Sequence, residues 1–324
     1  MSARTTLLAL FLLVCGLVLL WFVLDETKHM CRQLQREQQP LRIDNDYDND
    51  HHTHIIADVK RQCRYDTGVL IQSLRDSQRR LNRVWHQLTK SPKERWSTLP
   101  EIFDPATNGF KLLLQPFKYY SGDENKFFLP FSNPNSICHH VTVGVGGVWD
   151  GEKSLRNKYP QCELLGIDPS YENHRIVESI PRSTFLHAAL HEKGGNLSAD
   201  LLDDKGYYRG KVVPHRPFYE VLIQTTNGHT IDFMTIDTEG AEFSLLKTIH
   251  SQRHLFAKIC QFNMEIHYAR KHYEVSLDEF DELFNSFLDK AHFVLLNVAY
   301  RGVELRQLFF LNVGDEECIQ KFLC

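Results

Sequence analysis

From residue 139 onward, short apolar runs alternate with amphipathic stretches. HHVTVGV (139–145), CELLGID (162–168), STFLHAAL (183–190), TIDFMTID (230–237) and KICQFNMEIH (258–267) are apolar or β-branched over strand lengths. Between them, PFYEVLIQTT (217–226), AEFSLLKTIHS (241–251) and LDEFDELFNSFLDKA (277–291) carry apolar residues at helical spacing, with Leu245, Leu246 and Ile249 on one face. FVLLNVAY (293–300) and LRQLFFLNV (305–313) read as a closing antiparallel pair. Strands alternating with helices predict an α/β fold: a mostly parallel sheet covered on both faces. With the final hairpin it becomes a seven-stranded sheet with an antiparallel edge.

The first hundred residues break this rhythm. LLALFLLVCGLVLLWFVL (7–24) runs 18 residues without a charge. At ~1.5 Å per residue it spans about 27 Å, close to a bilayer core. A cleaved signal peptide is the rival, but its apolar region is shorter and ends in small residues, whereas this run ends Trp21-Phe22-Val23-Leu24-Asp25. The expectation is an uncleaved signal anchor behind a short tail (1–6). Arg4 before the span, and Asp25 and Glu26 after it, favour a single-pass type II protein with a lumenal body, in the Golgi or another secretory membrane. The sequon Asn196-Leu197-Ser198 is a candidate glycosylation site on that side. Residues 25–98 read as a stem. Its His51, His52 and His54 lie in a polar tract and read as solvated linker, not metal ligands. Leu70, Leu74, Leu81, Trp85 and Leu88 mark an amphipathic helix with a basic outer face. It is suited to pack on the body or to pair with a second stem in a homodimer. The globular domain is expected over 99–324.

Composition adds exclusions. Of 324 residues 24% are charged and the net charge is −4, which gives no footprint for nucleic acid. The chemistry lies at strand ends. VTVGVGGVWD places Gly144, Gly146 and Gly147 after the first run, where a ligand could approach the backbone. A dinucleotide fingerprint would need Gly or Ala at 149, and Trp149 stands there. Asp168 ends the second run 22 residues after Gly146, placed to accept hydrogen bonds from ribose hydroxyls. NAD and S-adenosyl-L-methionine both fit this pair, and the missing third glycine favours the methyl donor. Ala188, late in the third run, joins the candidate cofactor contacts.

IDFMTIDTEGAEF gathers Asp237, Glu239 and Glu242 around Gly240. Acids there suit a helix N-terminus, or a ligand at the carboxyl end of a parallel strand. Glu242 reads mainly as serving the helix dipole. QFNMEIH sets Glu265 and His267 two residues apart, on one strand face, with His267 a candidate general base. Cys138 and Cys162 each lie six residues before a strand-end marker, Gly144 and Asp168. If the two strands are aligned neighbours at ~4.8 Å, the cysteines sit within disulfide reach.

In order and spacing, GVGGVW, GIDPS, IDFMTIDTEGAE and QFNMEIH resemble FkbM-type methyltransferases, and most closely their animal single-pass membrane branch. The resemblance covers roughly residues 100 to 315. It implies a class I Rossmann-like domain using S-adenosyl-L-methionine, with methyl transfer to oxygen, often on sugars. Asp237, His267, Glu239 and Glu265 are then the candidate catalytic residues. Thr142, Gly144, Gly146, Gly147, Asp168, Ala188 and Asp237 are the candidate cofactor contacts, and the partner is a hydroxyl-bearing glycan or glycoprotein. Many methyltransferases carry an acid two residues before the first glycine, whereas here that position is Thr142. A hydroxyl cannot balance a sulfonium charge. The rival readings are a methyltransferase fold that only binds a partner, and a methyltransferase directed at nitrogen or carboxyl groups.

Overall fold

A computed structural model describes residues 66–88, 91–114, 117–121, 124–147, 149–202, 207–251, 258–267, 275–290, 292–301 and 305–324. The expected span at 7–24 and most of the stem lie outside them. Among the described residues no helix is long and apolar enough to cross a membrane.

Residues Asp66–Cys324 form one compact unit, so the globular body begins well before residue 99. Helix α1 (Thr67–Gln87) starts where the Asp66 side chain accepts a hydrogen bond from the Val69 amide at 3.1 Å. The face predicted for it, Leu70, Leu74, Leu81 and Trp85, is buried against the body. Gln78 fastens that face: it donates to the Leu288 carbonyl and accepts from the Leu295 amide. The apolar stripe thus packs within its own chain, and Arg79, Arg80 and Arg83 stay exposed. Helix α2 (Pro92–Leu114) follows, and Trp85 meets Phe103 from it.

A hairpin of β1 (Phe117–Ser121) and β2 (Glu124–Phe128) leads into β3 (His139–Val143). Then come α3 (Asp150–Lys158), β4 (Glu163–Asp168), a 3₁₀ turn (Tyr171–Asn173), α4 (His174–Glu178) and β5 (Ser183–His187). Next are β6 (Ala189–His191), β7 (Gly195–Leu202), β8 (Tyr208–Pro217) and α5 (Phe218–Thr226). The remainder is β9 (Phe233–Ile236), α6 (Glu242–Ser251), β10 (Gln261–His267), α7 (Leu277–Asp289), β11 (Phe293–Arg301), β12 (Leu305–Asn312) and α8 (Glu316–Phe322). The main sheet has seven strands in the order β11-β12-β10-β9-β3-β4-β5. Its pairs are parallel except for β12, which is antiparallel to both neighbours. The order reverses at β3, which starts the series yet lies between β4 and β9. Open α/β sheets bind ligands beyond the carboxyl ends of strands at such a switch point.

Two details explain the glycine turn. Gly144 has φ +80, and a Cβ there would stand 1.6 Å from the Asp237 carbonyl oxygen, so β3 and β9 can close only around glycine. Trp149 is buried over β4, where a Cβ on Gly166 would come 2.8 Å from its ring. The bulky residue in place of the third glycine is accommodated by a missing side chain on the strand beneath.

β8 pairs with β7 and β6 in a separate three-stranded sheet. Asn196 is exposed on β7. Cys138 and Cys162 form a disulfide, with 24 residues of separation, one step below the His139–Glu163 pair that begins the β3–β4 register. A second disulfide, Cys260–Cys318, ties the entry of β10 to α8.

Candidate active site

A cavity of about 930 Å³ opens at the carboxyl ends of β3, β4 and β9. That is at the upper end of ligand pockets, which run roughly 300–1,000 Å³. Gly144, Gly146, Gly147, Asp168, Ala188, Asp237 and Glu239 all line it. Gly146 is left-handed at φ +55, and a Cβ on it or on Gly147 would meet no protein atom within 4 Å. Bare backbone therefore faces open space there, a cradle that side chains would fill.

Asp168 is nearly buried at the end of β4. One of its carboxylate oxygens accepts from the Val145 amide at 2.7 Å and the other from the Ser170 amide at 2.6 Å. The glycine turn thus orients the carboxylate, and a second lone pair on each oxygen remains for hydroxyl donors. Asp168, Pro169, Ser170 and Asn173 make one end of the cavity, a chemistry that fits a nucleoside.

The acid cluster forms the opposite wall. After Asp237 the chain turns through Glu239, a non-glycine residue at φ +54, and Gly240 at φ +120. The fully buried Glu242 carboxylate holds this turn: one oxygen accepts from the Thr238 amide at 2.8 Å, the other from the Gly240 amide at 2.7 Å. It also accepts from His267 Nδ1 at 2.9 Å, while His267 Nε2 lies 3.0 Å from Glu239. His267 reaches them because β10 runs parallel to β9, with Met264 beside Ile236. Burial alone would lower the imidazole pKa. The Glu242 charge, hydrogen bonds to Glu239 and Glu242, and the Asp237 charge reverse that and raise it to about 12.

The sequence expectations need correction at four residues. His267 is an imidazolium at neutral pH, does not line the cavity, and has no lone pair for a proton, so it is not poised as a general base. Glu242, read as a helix-dipole acid, anchors the turn and the imidazolium. Thr142 is buried behind the cavity wall and donates to Glu152 Oε1 at 3.2 Å. Glu265 also sits off the cavity and accepts from Gln307 at 3.0 Å. Asp237, Glu265 and His267 offer donor atoms within 4.8 Å of one another, but His267 would have to release a carboxylate to ligate a cation. Sequence reasoning missed the cavity residues Lys126 and Glu152, and the wall built by Lys247, His250, Glu279 and Glu282 from α6 and α7. Helical spacing could have aligned that wall, but not faced it toward β9.

The family model for the methyltransferase FkbM domain matches residues 106–295, more than half of the chain. No curated protein matches the sequence. Among solved structures, fibrillarin from Aeropyrum pernix with bound S-adenosyl-L-methionine is 9% identical, covering 55% of this chain and 68% of that one, with a TM-score of 0.32. A SAM-dependent methyltransferase from Aquifex aeolicus is 13% identical over 56% of this chain and 85% of that one, TM-score 0.32. The human methyltransferase 10 domain containing protein is 10% identical over 56% and 74%, TM-score 0.34. Likenesses this distant carry no argument about the acceptor. The glycine cradle, the carboxylate at the end of β4 and the family match agree: the chain belongs to the FkbM methyltransferase domain family and is an S-adenosyl-L-methionine-dependent methyltransferase.

Proposed function

We propose that the chain methylates a hydroxyl group on a glycan or glycoprotein in the secretory pathway. The observation that carries this is a single cavity joining the nucleoside end to two carboxylates, Asp237 and Glu239, and then to a polar wall. When bound, S-adenosyl-L-methionine supplies an electrophilic methyl group. The residues must align an acceptor in line with it and take up the proton released as the bond forms. Asp237, which lines the cavity at the carboxyl end of β9, is the proton acceptor in this reading, and Glu239 is paired with the His267 imidazolium. Glu239 orients the acceptor hydroxyl, and His267 and Glu242 hold Glu239 in place. Glu279, Glu282, Ser286 and His250 present donors and acceptors to a polyhydroxylated acceptor.

The secretory assignment extends to a membrane anchor at residues 7–24, with the body on the lumenal side, as in the single-pass branch of the family. The Cys138–Cys162 and Cys260–Cys318 disulfides support an oxidising compartment. Incubation of the protein with glycan acceptors and methyl-labelled donor tests the acceptor class. Label in a base-stable methyl ether is the expected result. Label appearing only in base-labile esters or on amines would sink the hydroxyl reading, and digestion of the body by protease in sealed microsomes would sink the topology.

A further inference from the structure

Strand β7 meets the cavity by its edge. Side chains alternate between the two faces of a strand. A cavity lying on one face of the β7–β8 hairpin would therefore take every second residue of β7, together with the β8 residues beside them. Instead five consecutive residues, Leu197 to Leu201, line it. Their ladder partners run from Val213 back to Arg209, and among the described residues of β8 only His215 lines the cavity. β7 is an outer strand of its sheet, in the order β6-β8-β7, and among the described residues it pairs with β8 alone. In an antiparallel pair alternate residues turn their N–H and C=O away from the partner strand. The side of β7 turned to the cavity is thus a row of backbone donors and acceptors. At ~3.4 Å per residue, the five residues give about 17 Å of it.

The row runs toward the acid cluster. Glu192, just ahead of β7, pairs with Lys247 of α6 at 3.0 Å, and both line the cavity. α6 is the helix that the chain enters from the turn at Glu239 and Gly240. The edge therefore shares one space with Asp237 and Glu239, and a molecule laid along it is offered to them. The spacing decides the kind of molecule. An extended polypeptide repeats its own donors and acceptors every second residue and can add a strand to such an edge. The hydroxyls of a sugar follow its rings and have no such repeat. We infer that the acceptor is a polypeptide, bound as an extended segment along β7, and that it carries the hydroxyl on a side chain or on an attached glycan. The inference rests on the methyl-transfer reading of the cavity and narrows its acceptor from a free glycan to a protein-borne hydroxyl.

The test uses the full chain and a pool of peptides cut from secreted glycoproteins. Amide hydrogen exchange across β7 comes first. The outward amides should exchange readily in the protein alone and slow about tenfold or more when the pool saturates it. Protection already present in the protein alone would mean that another segment of the chain covers the edge. No slowing with the pool would mean that no peptide docks there, and either result overturns the inference. Labelled methyl transfer comes second, comparing the pool with the glycans released from it. Two or three added backbone hydrogen bonds are worth about 10- to 100-fold. Peptide-borne hydroxyls should exceed released glycans in kcat/KM by that factor, and methylating the backbone nitrogens of the best peptide should remove the advantage. Equal kcat/KM for released glycans overturns the inference and leaves hydroxyl methylation standing. Absence of methyl ethers from every acceptor sinks the hydroxyl reading instead, and the exchange measurement still decides the edge.

Discussion

His140 on β3 and His267 on β10 are separated in the sheet by β9 alone, and both are nearly buried, at 2% and 8% exposure. They nevertheless titrate at opposite ends of the scale, at about 3 and about 12. Burial opposes charge on both rings. At His140 it acts with the Lys126 ammonium and the ring stays neutral. At His267 the carboxylates of Glu242, Glu239 and Asp237 overcome it. Charged neighbours, not depth, decide which histidine is a cation. The two clusters accordingly differ: the neutral His140 ring lies 3.4 Å from the Thr142 hydroxyl, which donates to Glu152, and around His267 an ion network fixes the turn that carries Asp237 and Glu239.

The largest expected effect tests the neutral side. His140 has a folded pKa below the unfolded value of about 6.5, so the unfolded state binds more protons in that window. Its contribution to stability is present above pH ~6.5, falls as pH drops and is gone below about 3. The slope is about 1.4 kcal/mol per pH unit, or ~5 kcal/mol over the window. Urea denaturation from pH 7 to pH 4 should show a flatter acid slope in His140→Gln than in the parent. Equal slopes would mean that the ring is not held neutral. His267 has the reverse sign: its contribution is full below ~6.5 and is lost as pH rises toward 12.

Next in size is the charged side. Removing one partner of a buried ion pair costs about 3–5 kcal/mol, because the other charge is left uncompensated. Glu242→Ala should lose that much by denaturant midpoint, since its carboxylate also serves the Thr238 and Gly240 amides. Glu239 has a side chain 24% exposed, so solvent screens its loss and Glu239→Ala should cost about 1 kcal/mol or less. Comparable losses for the two would contradict the division between turn anchor and cavity residue.

Much of this frame was legible from residue types. The strand runs, the closing hairpin and the Cys138–Cys162 alignment follow from apolar patterning and from counting back from strand ends. The helix of residues 67–87 was legible as a helix but not as part of the body, because an apolar stripe reads alike whether it meets its own sheet or another copy. β8 escaped notice because Arg209, Lys211, His215 and Pro214 interrupt any alternation. Glu242 was undervalued and Glu152 missed for one shared reason. An acid in the first turn of a helix always has a local explanation in the dipole, whereas their decisive partners, His267 and Thr142, come from strands that only the sheet order brings near.

The smallest effect separates backbone from charge within the acid cluster. Glu239 adopts φ +54, a region where a Cβ crowds the following carbonyl and costs roughly 1–2 kcal/mol for residues other than glycine. The ion pair with His267 offsets that strain in the parent. Glu239→Ala and Glu239→Gly remove the same carboxylate, so they lose the same pairing and should lose turnover to the same degree. They differ in the backbone, because glycine adopts the left-handed turn without the Cβ clash but is freer when unfolded. The net should leave Glu239→Gly about 1 kcal/mol more stable than Glu239→Ala, read as a difference in denaturant midpoints at pH 7. If alanine proves as stable as glycine, the turn is not strained, and Glu239 is held at the cavity by its charge alone.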